Sequence, residues 1–208
     1  MNRQSARLSL VLIMVALGAT SASAHHVMGG RMPATFVEGM LSGLGHPVIG
    51  LDHFAAVVAV GCLAALHPAA GALVIAFVAA MMGGVALHLQ GASVPGAEIL
   101  VALTVIALGA LMLRPHKMST AAALMLFAMV GLVHGYALGE SIYGAETTPL
   151  YAYLLGLALV QSTIALAAAK IARVLARRSA DLSPLRLMGA GIAGIGLAVL
   201  FQQVIPAA

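Results

Sequence analysis

The stretch His46–Leu66, HPVIGLDHFAAVVAVGCLAAL, joins an apolar run to three ionisable side chains near its start. The run from Val48 to Leu66 is long enough to cross about 30 Å of hydrocarbon as a helix, which takes about 20 residues. Ionisable side chains inside such a segment are costly and are functional candidates by default. The stretch therefore predicts a membrane-spanning helix that carries a polar site at one end.

Five further apolar runs follow, separated by turn-forming residues such as proline and glycine. These runs are Ala69–Leu89, Ala97–Leu113, Ser119–Ala137, Leu150–Val174 and Leu185–Ile205. Of the 208 residues, 62% are hydrophobic and 8% are charged, whereas average soluble proteins have about 25% charged residues. We therefore expect an all-α fold, a polytopic bundle of six transmembrane helices in a lipid bilayer, and no nucleic-acid partner despite the net charge of +4.

The N-terminus has the pattern of a secretory signal peptide. Two arginines precede an apolar run, Leu8–Ala19, and Ala22-Ser23-Ala24 supplies the small residues that signal peptidase requires. We expect cleavage after residue 24, the alternative being an uncleaved first membrane helix. Residues 25–45 would then be a periplasmic segment with a short amphipathic helix on the membrane surface, followed by a transmembrane domain over residues 46–208.

The positive charges predict the orientation. With the mature N-terminus outside, a single basic residue, Arg31, lies on the outer side. Seven lie in inner loops or at inner helix ends, where Lys and Arg are enriched in membrane proteins: Arg114, Lys117, Lys170, Arg173, Arg177, Arg178 and Arg186. We expect a bacterial inner-membrane protein whose mature N-terminus is periplasmic.

His46, Asp52 and His53 form the first candidate site. His53 follows His46 by seven residues, which is close to two helical turns, and Asp52 lies about 100° further round. A carboxylate at that depth costs about 2.5 to 3.5 kcal/mol to insert. A divalent cation bound beside the imidazoles would offset this cost, and a proton relay is the alternative.

Other candidate ligands fall at the same depth in the predicted topology. His88 and His134 lie in the outer halves of their spans, and Glu140 ends the span of His134. His25 and His26 would stand at the new amino terminus, where the amine and imidazoles could capture metal. Imidazole and carboxylate suit nickel and cobalt. Cys62 is the only cysteine, so no thiolate cluster can form. We expect a transported metal ion, no prosthetic group and no enzyme activity.

Two motifs resemble those of the HupE/UreJ family of nickel/cobalt permeases. They are the stretch His46–Leu66 quoted above and HGYALGE, from His134 to Glu140. The resemblance implies uptake of Ni²⁺ or Co²⁺, often for hydrogenase or urease maturation. It also implies roles for His46, Asp52, His53, His134 and Glu140. Leu138 stands where the family commonly has a histidine, which bears on the choice of metal.

Three classes of function are open from the sequence. A secondary permease is the leading hypothesis, because the sequence contains no phosphate-binding loop of the Walker A type and no stretch long enough for a nucleotide-binding domain. An intramembrane metalloenzyme would use Glu140 or Asp52 as a base toward metal-bound water. A metal-binding accessory subunit would need a partner to transport.

Overall fold

The computed structural model describes residues 31–114, 118–179 and 182–205, and these ranges contain seven α-helices and one short 3₁₀ helix, Glu140–Ile142. In chain order the α-helices are α1 (Phe36–Ile49), α2 (Leu51–Ala65), α3 (Ala70–Leu89), α4 (Ala97–Leu113), α5 (Thr120–Gly139), α6 (Thr147–Arg178) and α7 (Ser183–Val204). No strand occurs in these ranges, so the all-α fold is confirmed there. The predicted signal peptide, His25 and His26 lie outside the described residues.

Five of the six apolar runs coincide with helices α3 to α7 to within a few residues. The first run, Val48–Leu66, contains the whole of α2 but begins inside a further helix, α1. The chain is already helical from Phe36, because Thr35 and Glu38 form a capping box that satisfies the first backbone N–H groups. Pro47 lies inside α1 and not at the start of a helix. Helix α1 ends two residues later, and the chain bends by 79° before α2 continues.

Helix length and composition support several membrane crossings. Among the described residues, α3, α5, α6 and α7 are each long and apolar enough to cross a membrane. The bent pair α1–α2 makes a fifth candidate if both helices are taken as one span. Helix α4 is apolar but has only 17 residues, so its crossing, and with it the count of six spans, stays a prediction.

Helix α2 lies in the middle of the bundle, with ten of its fifteen residues buried. It contacts α6, α4, α7, α3 and α1. Small residues permit these close approaches, as is usual between membrane helices. A Cβ atom on Gly43 of α1 would collide with the Tyr153 carbonyl of α6. One on Gly61 of α2 would collide with the Ala165 carbonyl of the same helix. Helix α6 therefore supports both halves of the bent pair.

The two ends of the bundle differ in charge. At the end where α2 begins, the Tyr136 hydroxyl donates to the Ala92 carbonyl and ties α5 to the loop after α3. At the opposite end, the His67 ring contacts the Met118 carbonyl. The basic residues of α6 lie after Ala165, toward the C-terminal end of that helix. Arg186 lies near the start of α7, which begins at this second end. The candidate ligands and the positive charges thus lie at opposite ends.

Candidate metal site at the helix bend

The bend brings together three of the predicted site residues. His46 lies in the last turn of α1, and Asp52 and His53 lie in the first turn of α2. All three side chains are buried, with at most 6% of each exposed. The rings of His46 and His53 meet edge to face with centroids 6.1 Å apart. In one straight helix, residues seven apart would be separated by about 10 Å along the axis, so the bend shortens this distance.

His134 of α5 reaches the same place from across the bundle. Its side chain is completely buried. Its Nδ1 atom lies 2.9 Å from Nδ1 of His53, and the two ring centroids are 5.0 Å apart. Residues 81 positions apart in the chain thus form the central contact of the cluster. The sequence-based expectation that these two histidines lie near each other agrees with this geometry.

Thr104 of α4 orients the His134 ring. The Thr104 hydroxyl donates to the Val101 carbonyl at 2.7 Å, and its oxygen lies 2.9 Å from Nε2 of His134. Because the hydroxyl has a single hydrogen, its oxygen accepts the hydrogen bond from Nε2–H. We therefore assign the proton of neutral His134 to Nε2, which leaves the Nδ1 lone pair directed at His53. An outer partner of this kind is typical of metal-binding histidines.

Three carboxylates lie at the end of the bundle that carries the imidazoles. Asp52 Oδ1 accepts the backbone N–H of His53 at 2.8 Å, a favourable arrangement at a helix N-terminus. The Asp52 charge also acts on His134. Glu98 lies in the first turn of α4, and Glu140 follows the last turn of α5 at the same end. This end of the bundle therefore concentrates negative charge and attracts cations.

The geometry of the histidine pair fits two ligands of one metal ion. First-row dications bind imidazole nitrogen at about 2.1 Å, as zinc does, so two such ligands at a right angle are about 3.0 Å apart. The observed separation of the Nδ1 atoms is 2.9 Å. In the ranges 31–114, 118–179 and 182–205, no three His, Cys, Asp or Glu side chains are arranged to hold a metal ion. Water molecules, or further side chains brought closer by a movement at the bend, would have to complete the coordination shell of the ion.

The remaining candidates lie outside this cluster. The His88 ring packs against the rings of Tyr136 and Tyr143, with centroids 4.7 Å and 5.7 Å away. Glu140 is exposed at the end of α5. Neither side chain takes part in the contact between His53 and His134. Cys62 is buried in the apolar core, as its sequence context indicates.

Apolar helices of this length around a buried imidazole cluster define a multi-pass membrane protein. The chain belongs to the HupE / UreJ protein family, whose model matches residues 12–199. It is 38% identical over 104 residues to Protein HupE of Rhizobium leguminosarum bv. viciae, an alignment that covers 49% of this chain and 54% of that protein. The chain thus spans about half the length of this curated relative. No solved structure matches.

Sequence reasoning missed Thr104 and Glu98. A hydroxyl in the middle of an apolar run carries little signal, because threonine often bonds its own helix backbone, as Thr104 also does. Glu98 could have been found, since it is a carboxylate at the predicted outer end of the run Ala97–Leu113. However, an acidic residue in the first turn of a helix is also expected without any ligand, because it interacts favourably with the helix dipole.

Replacing Thr104 by valine should weaken ion binding. Valine keeps the shape but removes the oxygen that fixes the His134 ring, and loss of such an outer partner typically costs 10- to 100-fold in metal affinity, so we expect about that loss. Calorimetric titration of the detergent-solubilised protein with Co²⁺ measures it. Thr104→Ser, which keeps the hydroxyl, is the matched control. Equal affinities for the wild type and Thr104→Val would contradict the assigned role.

Proposed function

We propose that the chain is a secondary permease that carries Ni²⁺ or Co²⁺ inward across the bacterial inner membrane. The observation that supports this most is the buried Nδ1–Nδ1 contact between His53 and His134, in a protein of the HupE/UreJ family. Imidazole nitrogen is a preferred ligand of both ions. The delivery of nickel to hydrogenase or urease maturation, implied by the family resemblance, is part of the same proposal.

The charge distribution supports binding of a dication at this place. Glu98 and Glu140 lie at the end of the bundle where α2 begins, and Asp52 is bonded to the backbone of His53. The C-terminal end of α1, which carries partial negative charge, meets the N-terminal end of α2 at the bend, where Asp52 offsets the partial positive charge of α2. Interrupted helices that present their ends to ions near mid-membrane are a recurrent feature of secondary transporters. We propose that the ion loses part of its water here and binds the histidine pair.

A site with two preformed ligands suits transport better than storage. Conduction requires binding that is favourable enough for capture and weak enough for release. His25 and His26, outside the described residues, would serve as a first capture point if the signal peptide is removed as predicted. His88 and Glu140 would serve as later ones at the opening. No observation on the described residues favours the metalloenzyme or the accessory subunit over this proposal.

The membrane potential would drive inward movement. Each elementary charge gains about 2.3 kcal/mol in crossing 100 mV, and a dication gains twice as much. This is sufficient for accumulation against a concentration gradient without nucleotide hydrolysis. The proposal therefore requires no further subunit for the transport step itself.

Purified full-length protein in liposomes should take up radioactive nickel or cobalt when an inside-negative potential is imposed. Asp52→Asn and His134→Ala should each reduce the initial rate by at least about tenfold, because each removes a group that compensates the ion for lost hydration. His67→Ala is a matched control, since this histidine lies at the opposite end of the bundle, and it should keep most of the rate. Uptake of neither metal by the wild type would contradict the proposal.

Cysteine labelling tests the proposed orientation. In a Cys62→Ala background, Ser93→Cys places a thiol in the exposed loop after α3, and Arg178→Cys places one at the exposed end of α6. If Lys and Arg mark the cytoplasmic side, a membrane-impermeant maleimide added to intact spheroplasts labels S93C and reaches R178C only after permeabilisation. The reverse pattern would contradict uptake through a site that faces outward.

A further inference from the structure

Gln161 of α6 is an anomaly in the core. Its side chain has no exposed surface. Both polar atoms of its amide, Oε1 and Nε2, lack a hydrogen-bond partner among the residues that the structure describes. Buried polar groups are almost always paired, and an unpaired amide in an apolar interior is unfavourable. A partner outside the described residues is therefore expected.

The contacts of α6 place Gln161 opposite the bend. Leu157, one turn before it, is next to the site where Gly43 of α1 approaches α6. Ala165, one turn after it, contacts Gly61 of α2. Residues four apart lie on nearly the same face of a helix, so Gln161 faces the space between these two contacts.

Along the chain of α1 and α2, the bend lies between Gly43 and Gly61, the two residues that contact α6. The chain from Gly43 to Gly61 contains the end of α1, the turn at Gly50 and the start of α2. The histidine and aspartate side chains of the candidate site belong to this segment. Gln161 thus lies on the part of α6 that packs against the two ends of the segment carrying the candidate ligands.

We propose that Gln161 is a further contact of the transported ion, and that its side-chain carbonyl binds the hydrated dication beneath the bend. This inference rests on the proposed function. An amide oxygen is a neutral ligand that binds a dication, or its bound water, without adding a charge that would hold the ion too tightly. The amide N–H₂ group can donate to a water of the same hydration shell.

The position of Gln161 also gives it a place in the sequence of binding steps. It lies one turn before the Ala165 contact, and α2 runs from the bend toward that contact and on to the basic end of the bundle. An ion that leaves the histidine pair toward the basic end meets this amide next. Gln161 would thus bind the ion during its release from the imidazoles.

Gln161→Leu is the direct test, made in the full-length protein. An unpaired polar group contributes no stabilising bond, so its replacement by an apolar side chain of similar size should leave the thermal midpoint in metal-free detergent unchanged or raised. Initial nickel uptake into liposomes should nevertheless fall by about tenfold or more, the loss typical of metal-site partners. Thr163→Val is the matched control, because Thr163 is exposed on the same helix and bonds only its own backbone.

A second variant covers the case in which Gln161→Leu fails to fold. Gln161→Glu keeps the shape and adds a negative charge, so it should lower the KM for the ion and slow turnover. A glutamine that merely holds a structural water would leave KM where it is in the wild type. Uptake by Gln161→Leu at the wild-type rate, or an unchanged KM in Gln161→Glu, would overturn the inference.

Binding separates this inference from the proposed function. If the wild type moves neither metal in liposomes, the transport proposal fails, and titration of the same variants with Co²⁺ in detergent still tests Gln161. Weaker Co²⁺ binding by Gln161→Leu than by Thr163→Val would support the contact. Equal affinities in these two variants would overturn it, whatever the outcome of the transport assay.

Discussion

The buried contact between the Nδ1 atoms of His53 and His134 constrains this end of the bundle. Two imidazoles in an apolar interior must satisfy each other or share a ligand, since an unpaired polar group there is costly. The contact requires α2 to begin at the depth where α5 carries His134, and the 79° bend at Gly50 makes that possible. Thr104 then fixes the ring of His134 from a third helix. The site is thus a junction of helices and not a feature of any one of them.

The apolar runs predicted α3 to α7 well, because a segment surrounded by lipid must satisfy its backbone internally and does so as a helix. The same reasoning failed at the first run. Apolar length does not show where a helix begins when a capping residue such as Thr35 starts it earlier. It also does not show that the chain turns at Gly50, because Pro47 and glycine are both compatible with a helix end and a helix interior. Helix α6 packs against both sides of the bend, and the pattern of one segment cannot reveal such a contact.

The ligand cluster was predictable only in part. Asp52 and His53 stand out in any apolar run, and helical depth pairs them with His134. His88 and Glu140 lie at the same end but outside the contact between His53 and His134, because depth specifies the height of a side chain and not its direction. Gln161 carried no signal in the sequence, since one amide in a 32-residue helix reads as a surface residue until its burial is known. The conformation that the structure describes holds a paired histidine and not a complete metal shell.

X-ray absorption spectroscopy of the nickel-loaded protein tests the central claim most directly. If His53 and His134 are ligands, the outer-shell scattering of imidazole carbons accompanies a first shell of nitrogen and oxygen at about 2.1 Å. We expect this imidazole scattering to be markedly weaker in the His53→Ala/His134→Ala double variant and retained in His67→Ala. Imidazole scattering that is equally strong in the wild type and the double variant would show that the ion binds elsewhere and would contradict the account.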